Sequence, residues 1–142
     1  MNLKDVLAAK GHRVVTVSAK SSVADAIRSM HAEKVGAVMV PDAEGCPVGI
    51  FSERDVVRLY ADGERHFDTL AVEARMTCSV VIGRLSMSVD EALGLMTDRR
   101  FRHLPVVEGG KLLGLVSIGD LVKAKLNEAA QEAQALRAYI TS

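Results

Sequence analysis

The chain has 142 residues, near the commonest size of a single domain, with 49% hydrophobic and 25% charged residues. That balance supplies a core and argues against disorder. Eighteen Lys and Arg offset eighteen Asp and Glu, which argues against broad electrostatic binding to nucleic acid or acidic membrane, and 4% aromatics with no Trp leaves no stacking platform for single strands.

The N-terminus, MNLKDVLAAKG, places charges among its apolar residues and has no hydrophobic secretory region. No apolar run approaches the roughly 20 residues a membrane-spanning helix needs. The two cysteines, Cys46 and Cys78, form no CxxC pair or metal-ligand spacing, so no metal ligands and no structural zinc are expected. A reducing, cytoplasmic setting follows from this cysteine usage.

From residue 14 onward the chain repeats itself. Val14-Val15-Thr16-Val17 is a β-branched stretch, and Val80-Val81-Ile82 matches it. A helix follows each. Ser22-Val23-Ala24-Asp25-Ala26-Ile27 aligns with Ser88-Val89-Asp90-Glu91-Ala92-Leu93, 66 residues on. Ser22 is the expected N-cap with Asp25 three residues on, and Ser88 with Glu91 completes a capping box. Val23, Ala26, Ile27 and Met30 lie on one helical face, as do Val89, Ala92, Leu93 and Met96.

A buried strand comes next, over residues 37–40 or 104–107. A Gly-bearing turn then leads to a second strand, over 48–51 or 112–116. The second turn is one residue shorter, so Ser52 and Ser117 are 65 apart. Each unit closes with a helix beginning at Ser52 or Ser117. The expected order is β-α-β-β-α, twice. Units of this size are too small to be comfortable alone and should share one core. Between them, residues 63–75 read as a connector with a short helical part near Thr69 to Met76.

After the second unit the helix continues. Val122, Leu126, Ala129, Ala133, Leu136 and Ile140 are spaced 4, 3, 4, 3 and 4 residues apart. That is heptad spacing. Two readings remain open for it: an amphipathic helix packed on its own domain, or a contact with a second copy of the chain.

Two sets of residues carry the chemistry. Ser52-x-x-Asp55 and Ser117-x-x-Asp120 each follow a strand and open a helix. The plain reading is capping: the Ser hydroxyl takes a backbone N–H and the acid suits the helix dipole, together worth about 1–2 kcal/mol. The ligand reading is a nucleotide site, in which the helix start attracts phosphate and the Asp accepts from both hydroxyls of a ribose. The two are compatible. Gly119 lowers helix propensity by about 1 kcal/mol against Ala and leaves room for a ligand at the backbone. Arg54 stands there in the first unit, where its planar fork suits phosphate.

The second set is Arg99-Arg100-Phe101-Arg102-His103-Leu104-Pro105-Val106, cationic before an apolar strand. The matching stretch, Glu33 to Ala37, has no such cluster, but Gly36 and Ala37 leave room for a flat base. Hydrolytic chemistry is disfavoured, since no Gly-x-Ser-x-Gly surrounds either Ser and no base–nucleophile pair is visible. His12, His31 and His66 read as surface residues.

The duplicated unit, with Gly-Ile-Phe-Ser-Glu-Arg-Asp at 49–55 and Gly-Leu-Val-Ser-Ile-Gly-Asp at 114–120, resembles the CBS domain, and the pair resembles a stand-alone bacterial Bateman module. The resemblance spans about Lys10 to Lys125. It implies an α/β (α+β) fold of two CBS repeats with pseudo-twofold symmetry, sheets packed against helices: CBS domain 1 at 10–62, the connector, CBS domain 2 at 76–125, and a helical extension at 126–142.

It also implies a non-catalytic sensor of AMP, ADP, ATP, NAD or S-adenosylmethionine, bound between the repeats as a regulatory ligand rather than a catalytic cofactor. Asp55 and Asp120 would hold ribose, with Ser52 and Ser117 at the hydroxyl position. Arg54, Arg102 and His103 would meet phosphate, near Gly119. Thr16, Val17, Ser18, Val35, Gly36, Ala37, Ile82, His103, Leu104 and Pro105 would pack on the base. The module would form a disc-like homodimer and signal to a downstream protein. An interaction scaffold built through its helices is the alternative.

Overall fold

The computed structural model describes residues 1–141. Ser142, the last residue of the expected extension, lies outside the described residues. Five α-helices and two hairpins follow in the order α1 (Leu3–Lys10), α2 (Val23–Glu33), β1 (Ala37–Pro41), β2 (Pro47–Ser52), α3 (Glu53–Ala61), α4 (Val89–Arg99), β3 (His103–Glu108), β4 (Lys111–Ser117) and α5 (Ile118–Thr141). A short 3-10 turn, Val72–Ala74, stands in the connector.

The chain divides into two compact units. One contains Arg13–Val81 with Gly109–Leu112; the other contains Met1–His12, Ile82–Glu108 and the chain from Leu113 on. They are called here the first-repeat and second-repeat units.

In the first-repeat unit, β1 and β2 pair antiparallel, with Ala37 opposite Ser52 and Val40 opposite Gly49. β1 is buried at Ala37 through Val40, the apolar run expected of a strand covered on both faces. The core joins Val23, Ala26 and Met30 of α2 to Val38, Val40, Phe51, Leu59 and Val72. Ser22 caps α2 by accepting the Asp25 N–H at 3.0 Å.

The second-repeat unit repeats this plan with β3, β4, α4 and the start of α5. Ser88 accepts the Glu91 N–H at 3.0 Å, which is the serine half of the expected box. Both α2 and α4 end on a left-handed cation, Lys34 and Arg100, each at φ 56°. A positive charge there suits the negative end of the helix dipole.

The leading β-branched stretches depart from the expectation of strands. Residues 14–17 pair with β1 through a single Thr16–Met39 parallel bridge, and the second stretch reaches β3 one residue later, through Gly83–Val106. Each makes two backbone bonds, Val17 N to Met39 O and Met39 N to Val15 O, or Gly83 N to Pro105 O and Val107 N to Gly83 O. The ladder stops there.

The N-terminal helix is the main element beyond the expectation. Asn2 and Asp5 form a reciprocal capping box, each accepting from the other's backbone N–H at 3.1 and 3.0 Å. Leu3, Val6 and Leu7 are buried. Gly83 and Gly114 leave the space for this helix: an added Cβ would lie 2.9 Å from Leu3 at Gly83 and 2.6 Å from Leu7 at Gly114.

The same device recurs in the first-repeat unit. Gly49 is 65 residues before Gly114, and a Cβ there would lie 2.3 Å from Met76 Sδ. Asn2 bridges Ser88, and Ala71 bridges Ser22. Leu3 and Val72 are both fully buried. Thus the segment that precedes each repeat in sequence packs on the other repeat. Leu7→Ala should cost about 2–4 kcal/mol, the usual range for a buried Leu. Thermal unfolding should show Tm lowered by at least about 5 °C; a shift under about 1 °C would mean that α1 is not part of the core.

Candidate nucleotide site

Each Ser-x-x-Asp motif is placed by its hairpin. The Ala37–Ser52 register sets the start of α3 beside the entry to β1, and Glu53 N donates to Gly36 O at 3.0 Å. The second-repeat unit copies this through Ile118 N to Arg102 O at 2.9 Å. Sequence positions far apart are therefore joined within each unit. The run 35–37 is brought to the helix start that carries Ser52, Arg54 and Asp55, and the run 102–105 to the one that carries Ser117, Gly119 and Asp120.

The other expected base positions lie along the bridging stretches. Thr16, Val17 and Ser18 run beside β1, and Ile82 precedes the Gly83 bridge and is 48% exposed. Arg54, Arg102 and Gly119 are exposed and His103 is half-buried. Leu104 and Ala37 have side chains turned into their cores, and Pro105 is buried too, so what these three offer a ligand in this conformation is backbone.

The two carboxylates differ in what holds them. Asp55 is the buried charged residue among those described, at 5% exposure. Its Oδ2 accepts the Ser52 N–H at 2.9 Å and the Ser52 hydroxyl at 3.3 Å. Its Oδ1 accepts the Thr77 hydroxyl at 3.3 Å and lies 3.5 Å from Arg58 Nη1. Four donors on two oxygens is what a buried carboxylate requires. A ribose hydroxyl at Asp55 would have to take the place of Thr77 or Arg58.

Asp120 is half-buried. Its Oδ2 accepts the Ser117 N–H at 2.8 Å and Lys10 Nζ at 2.5 Å, while its own N–H donates to Ser117 Oγ at 3.1 Å. Lys10 Nζ also donates to Leu115 O at 2.5 Å. Partial burial pushes the Asp120 carboxyl upward, but the hydrogen bond and charge of Lys10 and the Ser117 N–H outweigh it and hold the group below its ordinary value.

Capping and ligand readings both survive this geometry, since Ser117 takes the Asp120 N–H and both carboxylates stand at helix starts. Thr77, Arg58 and Lys10 were not legible as partners. Thr77 and Lys10 come from the two segments that cross onto the opposite repeat. Thr77 is fixed there by paired backbone bonds with Ile50, at 2.9 and 3.0 Å. Gly119 has open space around it: a Cβ would meet only Ser117 Oγ, at 3.6 Å.

A cavity of about 440 Å³ opens in the first-repeat unit, lined by Met30, His31, Lys34, Val35, Gly36 and Glu53. Its size is in the range of small-molecule sites. It joins the expected base positions Val35 and Gly36 to Lys34 and to His31, which reads as a surface residue in the sequence. Among the described residues no cluster of His, Cys, Asp and Glu is arranged to hold a metal ion.

A duplicated hairpin-and-helix unit with Ser-x-x-Asp at each second helix defines a two-repeat module. The family model for the CBS domain matches residues 3–62 and 71–127, so the chain belongs to the CBS domain family. Both matches include the crossing segments. The crystal structure of the CBS-domain containing protein ATU1752 from Agrobacterium tumefaciens is 43% identical, covering 87% of this chain and 98% of that one at TM-score 0.82. The CBS domain-containing protein YhcV of Bacillus subtilis is 35% identical over 123 residues, 85% of this chain and 86% of its own length. The structure of CBSX2 in complex with AMP is 30% identical, covering 82% of this chain and 90% of that one at TM-score 0.70.

The ion pair at Asp120 has a pH signature. A carboxyl held low in the folded state adds stability that is full above its unfolded value, near 3.8, and is lost as pH falls through its lower folded value. Lys10→Met should lower Tm at neutral pH, and the gap from wild type should close as pH falls below about 4. A gap that is constant from pH 7 to pH 3 would mean that the pair does not form in solution.

Proposed function

We propose that the chain is a non-catalytic regulatory module that binds an adenosine-containing ligand, such as AMP, ADP, ATP, NAD or S-adenosylmethionine, and works as a cytoplasmic homodimer. The observation that carries this reading is the paired placement of a helix-start carboxylate beside a small-residue or cationic strand entry, Asp55 with Gly36 and Asp120 with Arg102 and His103. The AMP complex of CBSX2, a relative, supports the ligand class.

Ribose hydroxyls would donate to Asp120 and Asp55, and Ser52 and Ser117 would stand at the hydroxyl positions. The phosphates would face Arg54, Arg102 and His103, with Gly119 allowing close approach to the backbone. The base would pack between Thr16, Val17 and Ser18 and the backbone of residues 35–37 in the first repeat, and along Ile82 and the backbone of 103–105 in the second. Asp120 is the more available carboxylate, because its side chain is 26% exposed against 6% for Asp55. The affinities should therefore be unequal, with the Asp120 site ahead.

Signalling requires that the ligand favour one conformation over another. A ribose at Asp120 would compete with Lys10, so binding and the seating of α1 would be linked. No helix among the described residues is long and apolar enough to cross a membrane. The exposed apolar stripe of α5 favours a second reading, an interaction scaffold that binds no nucleotide.

Thermal unfolding separates the two. A ligand at 100 times its Kd adds about 2.7 kcal/mol, or several degrees of Tm in a chain of this size. At least one of AMP, ADP, ATP, NAD and S-adenosylmethionine should do so, and Asp120→Asn should weaken its binding roughly tenfold by titration calorimetry. No shift with any of the five at millimolar concentration would reject the sensor and leave the scaffold.

A further inference from the structure

From Ala129 to Thr141 every residue of α5 is exposed. A bare helix of this length is marginal in water, because most helical stability comes from packing an apolar face. The segment is nonetheless not polar all round. Leu126 is 65% exposed, Leu136 60%, Tyr139 81% and Ile140 71%.

These residues form a seam. Leu126, Ala133 and Ile140 occupy one core position of a heptad, and Val122, Ala129 and Leu136 the other. The exposure speaks against one of the two readings left open by the spacing, since these seam residues do not pack on their own domain. Lys125, next to the seam, is turned back to Asp90 of α4 at 3.0 Å, which fixes the root of the helix.

The flanking charges choose the partner and its direction. In a parallel pair in register, each flanking residue faces the one five positions later on the other helix. Glu132 then meets Arg137 of the second copy, twice by symmetry, and Lys125 meets Ala130. No like charges oppose. In the antiparallel register that stacks Leu126 on Leu136 and Ala129 on Ala133, Lys123 meets Arg137 and Glu132 meets Glu132. Both contacts are repulsive. Of the two registers that pair the whole seam, only the parallel one is free of repulsion.

We propose that α5 pairs in parallel with α5 of a second copy of this chain, through the seam from Val122 to Ile140, with Glu132–Arg137 bridges on both flanks. This rests on the homodimer part of the reading above and not on any ligand. Fewer than three heptads make a weak coiled coil alone. Joined to the rest of a dimer, the pair forms at high effective concentration and sets the two copies side by side.

The test uses the full chain with Cys46→Ser and Cys78→Ser. Sedimentation equilibrium should show a dimer, weakened roughly tenfold by Glu132→Arg, which sets Arg against Arg, and restored by Glu132→Arg with Arg137→Glu. Leu136→Cys alone should cross-link to itself under copper–phenanthroline oxidation. In the antiparallel register the two copies of residue 136 would lie about 15 Å apart, beyond disulfide reach. A monomeric chain would remove both the homodimer and the pairing. A dimer indifferent to Glu132→Arg would keep the homodimer and reject the helix pair. Cross-linking only in a mixture of Leu126→Cys and Leu136→Cys chains would reject the parallel direction. These side chains are exposed, so each variant should keep the wild-type circular dichroism spectrum and Tm of the dissociated chain.

Discussion

A carboxylate at the start of a helix must be satisfied, and the way this chain satisfies two of them organises much else. Asp55 and Asp120 both bond the backbone N–H three residues before them. That leaves oxygen lone pairs facing inward. Thr77 fills one set and Lys10 the other. Both donors come from segments that cross from their own repeat to the opposite one. The glycines at 49 and 114 let those segments approach, and Leu3 and Val72 bury themselves as they arrive.

This crossing joins stability to the proposed function. A site whose carboxylate is held by a hydroxyl differs from one held by an ammonium. Thr77 neutralises nothing, so the Asp55 charge is countered by Arg58 at 3.5 Å. Lys10 neutralises Asp120 directly, in a site open enough for a ligand hydroxyl to compete. The difference between Arg54 in one unit and Gly119 in the other is thus joined by a second, in the partners of the carboxylates. A ligand that displaced Lys10 would loosen the last turn of α1, whose other face carries Leu3 and Leu7 into the core. That would be a physical route from an occupied site to a change elsewhere in the unit, because the same residue serves both.

Much of the fold was legible because it is local and written twice. Ser22 and Ser88, the apolar faces of α2 and α4, and both hairpins follow from spacings of a few residues. The repeat then confirmed one copy by the other. What escaped is non-local. Lys10 lies 110 residues from Asp120, and nothing in MNLKDVLAAKG announces that partner. The Asn2–Asp5 box was a readable helix start that the charge pattern obscured. The crossing segments share only sparse features, Leu3 with Val72 and Leu7 with Met76, so they were not seen as part of the repeat. The leading β-branched stretches shrank to single bridges because β propensity reflects a fit to neighbours, and only one rung of neighbours was present. Of the candidate site, the positions of Ser52, Asp55, Ser117 and Asp120 at helix starts were legible, as was the burial of the apolar runs that begin at Ala37 and Leu104; the hydroxyl and ammonium that hold the carboxylates were not, because Thr77 and Lys10 arrive from distant segments.

The role assigned to the paired carboxylates is most directly tested by removing the hydroxyls they would hold. Titration calorimetry should compare the nucleotide that binds with its 2′,3′-dideoxy form, which keeps base and phosphates. Loss of two hydrogen bonds to a carboxylate should weaken binding by roughly tenfold to a hundredfold. Equal affinity for the two forms would mean that neither Asp55 nor Asp120 holds a ribose.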